Sequence, residues 1–315
     1  MFESFLDFLI PFSGAMLGAV SQGVLWGIMA LGVYITFKIL DFADMTVDGS
    51  FALGGCICAL LIVSGFNPLL AIFVAAVAGS LAGLLTGVLT TKLKIPGILA
   101  GILVQLALYS INLHVLGGPN QPLSRANKTI INWVNNALHL GDIFPVSATS
   151  LSALICGIIF TVLVILGLYW FFGTEIGCAV RATGGNEFMS RAQGINTDFM
   201  KILALMTANA LVAMSGALVM QQQRFGDVSM GIGTIVIGLA SIIIGEVLFG
   251  KRFGFWWCLL GVVLGSVIYR MIIAIVLQLG MKTQDLKLLS AVVVAVALSV
   301  PVIKKSFKKK SVAAS

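Results

Sequence analysis

Continuous apolar runs of membrane length, one after another, decide what this chain can fold into. They fall at 14–37, 49–65, 68–91, 95–116, 150–172, 201–221, 231–249, 254–279 and 286–303. A helix needs about 20 apolar residues to cross the hydrocarbon layer, where backbone amides must be bonded within the segment. The runs are unbroken rather than alternating over ~10 residues, so they predict helices and not a transmembrane β-barrel. Only 10% of the 315 residues are charged, against about 25% in soluble domains, too few to coat a water-soluble globule. The expectation is an all-α, polytopic bundle of eight or nine spans forming one transmembrane domain, 1–303. The second run, 49–65, is short enough to be broken or re-entrant. Residues 1–13 open on acids (MFESFLDF) rather than a basic signal-peptide region, and read as an amphipathic lead-in on the membrane surface.

The net charge of +7 is concentrated: Lys304, Lys305, Lys308, Lys309 and Lys310 crowd the tail, 304–315. Such a tail suits anionic lipid headgroups, not nucleic acid. Placing it in the cytoplasm and stepping backwards puts Lys251, Arg252, the 173–196 segment, Lys92, Lys94 and Lys38 inside. Segments 117–149 and 221–230 then lie outside, and the excess of Lys and Arg falls on the cytoplasmic side. The outer segment 117–149 opens with GGPNQP and predicts a short interfacial helix around Trp133.

Several features carry no chemistry. The five cysteines (Cys56, Cys58, Cys156, Cys178, Cys258) form no CxxC and read as small apolar filler. Residues 245–252, GEVLFGKR, approach a P-loop, but Arg252 stands where a magnesium-binding hydroxyl is needed and the stretch ends a membrane helix. There is no HExxH, no GxSxG and no histidine cluster, so a membrane enzyme has no support. Glycines recur at helical spacing (Gly79, Gly83, Gly87; Gly97, Gly101; Gly261, Gly265), which predicts tight helix packing within the bundle, or a face for a second copy.

A short repeat stands out. Residues 42–50 read FADMTVDGS and 225–233 read FGDVSMGIG, so Phe42, Asp44 and Thr46 match Phe225, Asp227 and Ser229. The charge-based topology puts the two copies on opposite sides, as an inverted repeat requires. Such repeats pair discontinuous helices around a central site. Asp44, Thr46, Asp48, Arg224, Asp227 and Ser229 are therefore candidates for a substrate pathway or gate. They serve equally well as helix caps. Arg270, deep in an apolar run, joins them: a guanidinium there must pair, snorkel or face water.

The polar segment 173–196 is the natural place for a soluble partner to grip. Gly177, Arg181, Ala182, Asn186, Ala192, Gly194 and Ile195 form G-x-x-x-R-A-x-x-x-N-x-x-x-x-x-A-x-G-I. A short helix near 185–193 would carry Glu187 and Arg191 on one face and Phe188 and Met189 on another, suited to a groove. This segment, with FADMTVDGSFALGG and QRFGDVSMGIGTIVIGLASIIIGE, resembles the permease subunits of bacterial ABC importers in the branched-chain amino acid and ribose permease family. Within it the chain is most similar to permeases assigned to tryptophan/tyrosine uptake.

The resemblance implies a multi-pass protein of the bacterial cell membrane with a cytoplasmic C-terminus. It implies ATPase coupling through Gly177, Arg181, Ala182, Asn186, Glu187, Arg191 and Gly194. ATP and Mg would sit on a separate ABC ATPase subunit, with no cofactor or metal held by this chain. A second permease subunit, identical or similar, and an external substrate-binding protein complete the implied assembly. The expected cargo is an amino acid, aromatic or branched-chain. Asp41, Asp44 and Asp48 are more acids than a sugar permease leads one to expect, which leaves sugars or other small solutes open. The rival from the residues alone is an ion-coupled secondary transporter, which buried acids and an inverted repeat would also suit.

Overall fold

A computed structural model describes residues 2–124, 127–139, 148–250 and 254–281, together with 285, 288, 290–296 and 299, with side chains from 14 onward. Helix α1 (Phe2–Tyr34) runs into a π-helical turn, Ile35–Ile39. Helices α2 (Thr46–Val63), α3 (Pro68–Thr91) and α4 (Gly97–Leu116) follow. Strand β1 (Asn120–Pro122) and helix α5 (Ile130–Ala137) precede α6 (Ala148–Gly173). Two short helices, α7 (Glu175–Gly185) and α8 (Glu187–Ala192), lead to α9 (Thr197–Gln223). Strand β2 (Phe225–Asp227), α10 (Thr234–Phe249) and α11 (Phe255–Gln278) come next, and residues 290–296 are helical.

Among the described residues, seven helices are long and apolar enough to cross a membrane. The first eight expected segments are recovered, with two differences. Segment 49–65 is one unbroken helix; the irregular backbone lies before it, at 40–45, where Asp41 takes a positive φ of 54°. Segment 231–249 is the short one. Helix α10 has 16 residues, about 24 Å at 1.5 Å per residue, less than the ~30 Å core. The chain enters it through β2 and a tight turn rather than through helix. The lead-in expected at 1–13 is not a separate surface helix: over its described residues it is continuous with α1. The basic tail, Lys251 and Arg252 lie outside the described residues, as does half of the ninth run.

Lipid gives apolar helices little reason to associate, so close backbone approach must supply the contact energy. A Cβ on Gly79 or Gly83 would collide with the carbonyl oxygens of Asn209 and Leu205, and one on Gly87 would press on Ile202 at 3.0 Å. This stripe therefore seats α3 on α9. Gly97 and Gly101 abut Phe42 and Met45, while Gly265 abuts the Ser241 carbonyl and Gly261 lies beside Gly245. All three stripes are consumed inside the bundle, so they do not form a face for a second copy. Gly23 and Gly27 seat α1 on Val267 and Val263 of α11, and Gly32 seats it on Ala208 of α9.

Helix α4 gives the two repeat copies a common ruler. Phe42 packs on Gly97 at its start. Just past Leu116, at its other end, β1 pairs antiparallel with β2 in the register Asn120↔Asp227. The copies thus enter from opposite ends of the bundle, as the inverted repeat requires, and converge where Asp48 meets Gly233.

Candidate functional site

The two copies close on the same turn. Asp44 Oδ1 accepts the Thr46 amide at 2.9 Å, and Asp227 Oδ1 accepts the Ser229 amide at 2.7 Å and its hydroxyl at 2.8 Å. Both are side-chain caps two residues ahead of the bonded amide. The first copy is buried in a polar cluster joining α2, α3 and α9. Asp44 Oδ2 accepts Asn209 Nδ2 at 2.7 Å, Asn209 Oδ1 accepts the Ser50 hydroxyl at 2.7 Å, and the Thr46 and Thr86 hydroxyls meet at 2.6 Å. Asp44, Thr46, Ser50, Thr86 and Asn209 are each at most 1% exposed, so each depends on protein partners.

Asp48 links the copies. Its carboxylate accepts the Gly233 amide at 2.9 Å, the Ile235 amide at 3.0 Å and the Thr234 hydroxyl at 2.8 Å. It therefore caps the N-terminus of α10, whose first amides have no intrahelical partner. A residue from one repeat completes the broken helix of the other.

Arg224 and Arg270 lie elsewhere, together. They line a cavity of about 550 Å³ at the end of the bundle that carries α5, walled by α1, α5, α6, α9 and α11. The Gln221 side chain accepts the Ile130 amide at 2.9 Å and so fixes α5 to α9; Arg224 donates to Asn132 Oδ1 at 2.7 Å. Arg270 has no acidic partner among the described residues. Its guanidinium lies 3.9 Å from the centroid of the Trp26 ring, a cation–π contact, and its buried Nε has no hydrogen-bond partner. Trp26 in turn packs on Phe51 of α2, centroids 4.9 Å apart.

At the opposite end, α7 and α8 form a braced knuckle. Gly184 abuts the Ile39 carbonyl of the π turn, and Gly177 abuts the Phe171 carbonyl. Arg181 donates to the Phe172 carbonyl and lies over the Phe172 and Phe255 rings at 5.9 and 5.3 Å, so it ties α7 to α6 and α11. The Ala182 carbonyl accepts the Asn186 amide at 3.0 Å, and Asn186 Oδ1 caps α8 through the Met189 amide at 3.0 Å. Glu187 bonds Lys201 at 2.6 Å and Arg191 at 3.0 Å, while Arg191 reaches Asp198 at 2.8 Å and Thr197 at 2.6 Å. The Lys201 hydrogen bond holds the Glu187 carboxyl below its ordinary value of 4.5. Gly194, at φ +84°, turns the chain into α9. With its charged face occupied, α8 presents Phe188 at 86% exposure and Met189 at 55%.

Of the candidate pathway residues, the structure thus brings Arg224 and Arg270 together, sets Asp44 and Thr46 in the buried cluster, and leaves Asp227 and Ser229 in their own turn. Trp26, Thr86, Asn209 and Gln222 were not legible as site residues. The run Gln221-Gln222-Gln223-Arg224 at the end of an apolar helix was the available signal for the cavity.

Comparison with known proteins places this architecture. The model of the family described as "Branched-chain amino acid transport system / permease component" matches residues 15–299. A "Tyrosine transport system permease protein" of Clostridioides difficile (strain R20291) is 41% identical over 93% of this chain and 94% of its own length. A ribose import permease protein of Escherichia coli (strain K12) is 24% identical over 69% of this chain and 64% of its own. Among solved structures, "PsaBC from Streptococcus pneumoniae in complex with Fab" aligns over 87% of this chain and 95% of its own at 16% identity, with a TM-score of 0.33, too loose to support an argument. On the family model and the full-length relative, the chain belongs to the permease components of branched-chain amino acid transport systems: it is a multi-pass membrane subunit of an ABC transporter, not an enzyme by itself.

Proposed function

We propose that this permease imports an amino acid, with aromatic amino acids as the first candidates, across a bacterial cell membrane, driven by a separate ATPase docked on α8. The observation that carries the coupling half is the exposed Phe188–Met189 pair on a helix whose charged face is already engaged. An apolar knob on a braced element suits a groove on a soluble partner. In this reading ATP and Mg sit on that partner, and this chain supplies no nucleotide site. Glu187, Arg191 and Asn186 hold α8 in shape, whereas Gly177, Arg181, Ala182, Gly184 and Gly194 seat the segment on the bundle.

The packing offers a route for the motion. A push on α8 passes to α7 and, through Gly184, to the π turn at Ile39. That turn leads into the irregular stretch 40–45, and from there into α2 and its Asp48 cap on α10. Rigid-body shifts of packed helices about such interruptions are a common switching device. An external binding protein would deliver cargo to the opposite end, at 117–149 and 221–230, with a second permease subunit, identical or similar, completing the assembly. The ion-coupled alternative drew on the membrane aspartates; these carboxylates are engaged as caps.

The amino-acid half rests on the tyrosine permease relative at 41% identity. Uptake of the twenty radiolabelled amino acids into cells carrying the full system tests it. ATP-dependent import of at least one is expected, with deletion of 184–192 abolishing it while the permease still reaches the membrane. Import that follows an ion gradient and survives the deletion would reject the reading.

A further inference from the structure

We infer that the cavity between α1, α5, α9 and α11 is the substrate site, with Arg270 holding the carboxylate of the amino acid. The inference rests on the amino-acid reading above and deepens it.

Among the described residues the charged lining is entirely cationic: Arg224 and Arg270, with no carboxylate. Arg270 stands two turns before the end of α11 at Gln278, about 12 Å along the axis. A guanidinium at such depth is costly unless it is paired or faces a watered cavity. Here Trp26 supports one face, and among the described residues the planar donor fork has no carboxylate. Its buried Nε has no hydrogen-bond partner either. A guanidinium that lines a cavity without a protein partner suits an anionic ligand.

A neutral sugar has no use for the fork, whereas a carboxylate takes it bidentately. The volume, about 550 Å³, leaves room for an aromatic side chain beside the zwitterion.

The test uses uptake by the complete system in cells, with L-tyrosine as first probe and the other amino acids as a panel. Arg270→Gln should lower kcat/KM for the imported amino acid by about 100-fold, the scale for removing one partner of a buried charge pair. Arg270→Lys should retain part of the rate. Excess tyramine, which lacks the carboxylate, should not compete. Membrane abundance and basal ATP hydrolysis of the purified complex should match wild type in every variant, which separates recognition from misfolding. If wild type imports no amino acid, the functional reading fails and this site with it. If wild type imports one and Arg270→Gln imports it equally well, the reading stands and the site is wrong. Loss of basal hydrolysis together with uptake in both Arg270 variants would make Arg270 a structural residue and overturn the assignment.

Discussion

Asp44 and Asp227 occupy equivalent points of the two repeated segments and make the same bond to the amide two residues on, yet their surroundings differ. Asp44 is 1% exposed, and its second oxygen is taken by Asn209. Asp227 is half-buried, and its Oδ1 accepts the amide and the hydroxyl of Ser229 beside it. The same turn has thus been used twice, once as a keystone of three helices and once as a local loop closure. Asp48, half-buried like Asp227, joins the copies by capping α10. Acids in a membrane chain need not mark an ion path; their partners decide.

Three substitutions grade that contrast. Asp44→Ala should be the most damaging, because it strips partners from the buried Asn209 amide and the Thr46 N–H. A loss of about 3 kcal/mol follows from two unsatisfied buried groups, read as a large drop in thermal midpoint in lipid nanodiscs. Asp48→Ala should cost about 1–2 kcal/mol, the worth of a helix N-cap. It should also raise hydrogen exchange at the Gly233 and Ile235 amides and nowhere else in α10. Asp227→Ala should cost under about 1 kcal/mol, as expected of a local exposed hydrogen bond. Equal effects of Asp44→Ala and Asp227→Ala would mean that burial is not what separates the copies.

The two ends of the bundle extend the contrast to a smaller effect. Glu187, held below its ordinary carboxylate value by Lys201, stabilises α8 fully only above that ordinary value. Its contribution falls away as pH drops through the lowered folded value. Proteolysis at 187–192 should therefore rise on acidification below 4.5, and Glu187→Gln should show the raised rate already at neutral pH. The exposed ion pairs are individually weak, so the change should be local, with no shift in the global unfolding midpoint.

Much of this was legible in the chain itself. The spans follow from unbroken apolar runs, and the repeat from Phe42-x-Asp44-x-Thr46 against Phe225-x-Asp227-x-Ser229. The faces of α8 follow from the spacing of Glu187 and Arg191. What the sequence hid was contact across long separations. Nothing local to Asp48 tells that it caps a helix starting at Thr234, nor local to Arg270 that Trp26 lies beneath it. The shortness of α10 was also masked, because Gly231 to Gly233 are apolar or small and read as helix, while Gly233 at φ +88° starts the helix later.

The central claim is that α8 is the handle by which an ATPase works this permease. Affinity purification of the chain from its native membrane, with mass spectrometry of whatever stays bound, tests it most directly. The account predicts a stoichiometric P-loop ATPase with the wild-type chain, lost on Phe188→Asp while the permease remains folded and membrane-embedded. An ATPase retained by Phe188→Asp would contradict the docking site, and a clean permease oligomer without any ATPase would contradict the coupling itself.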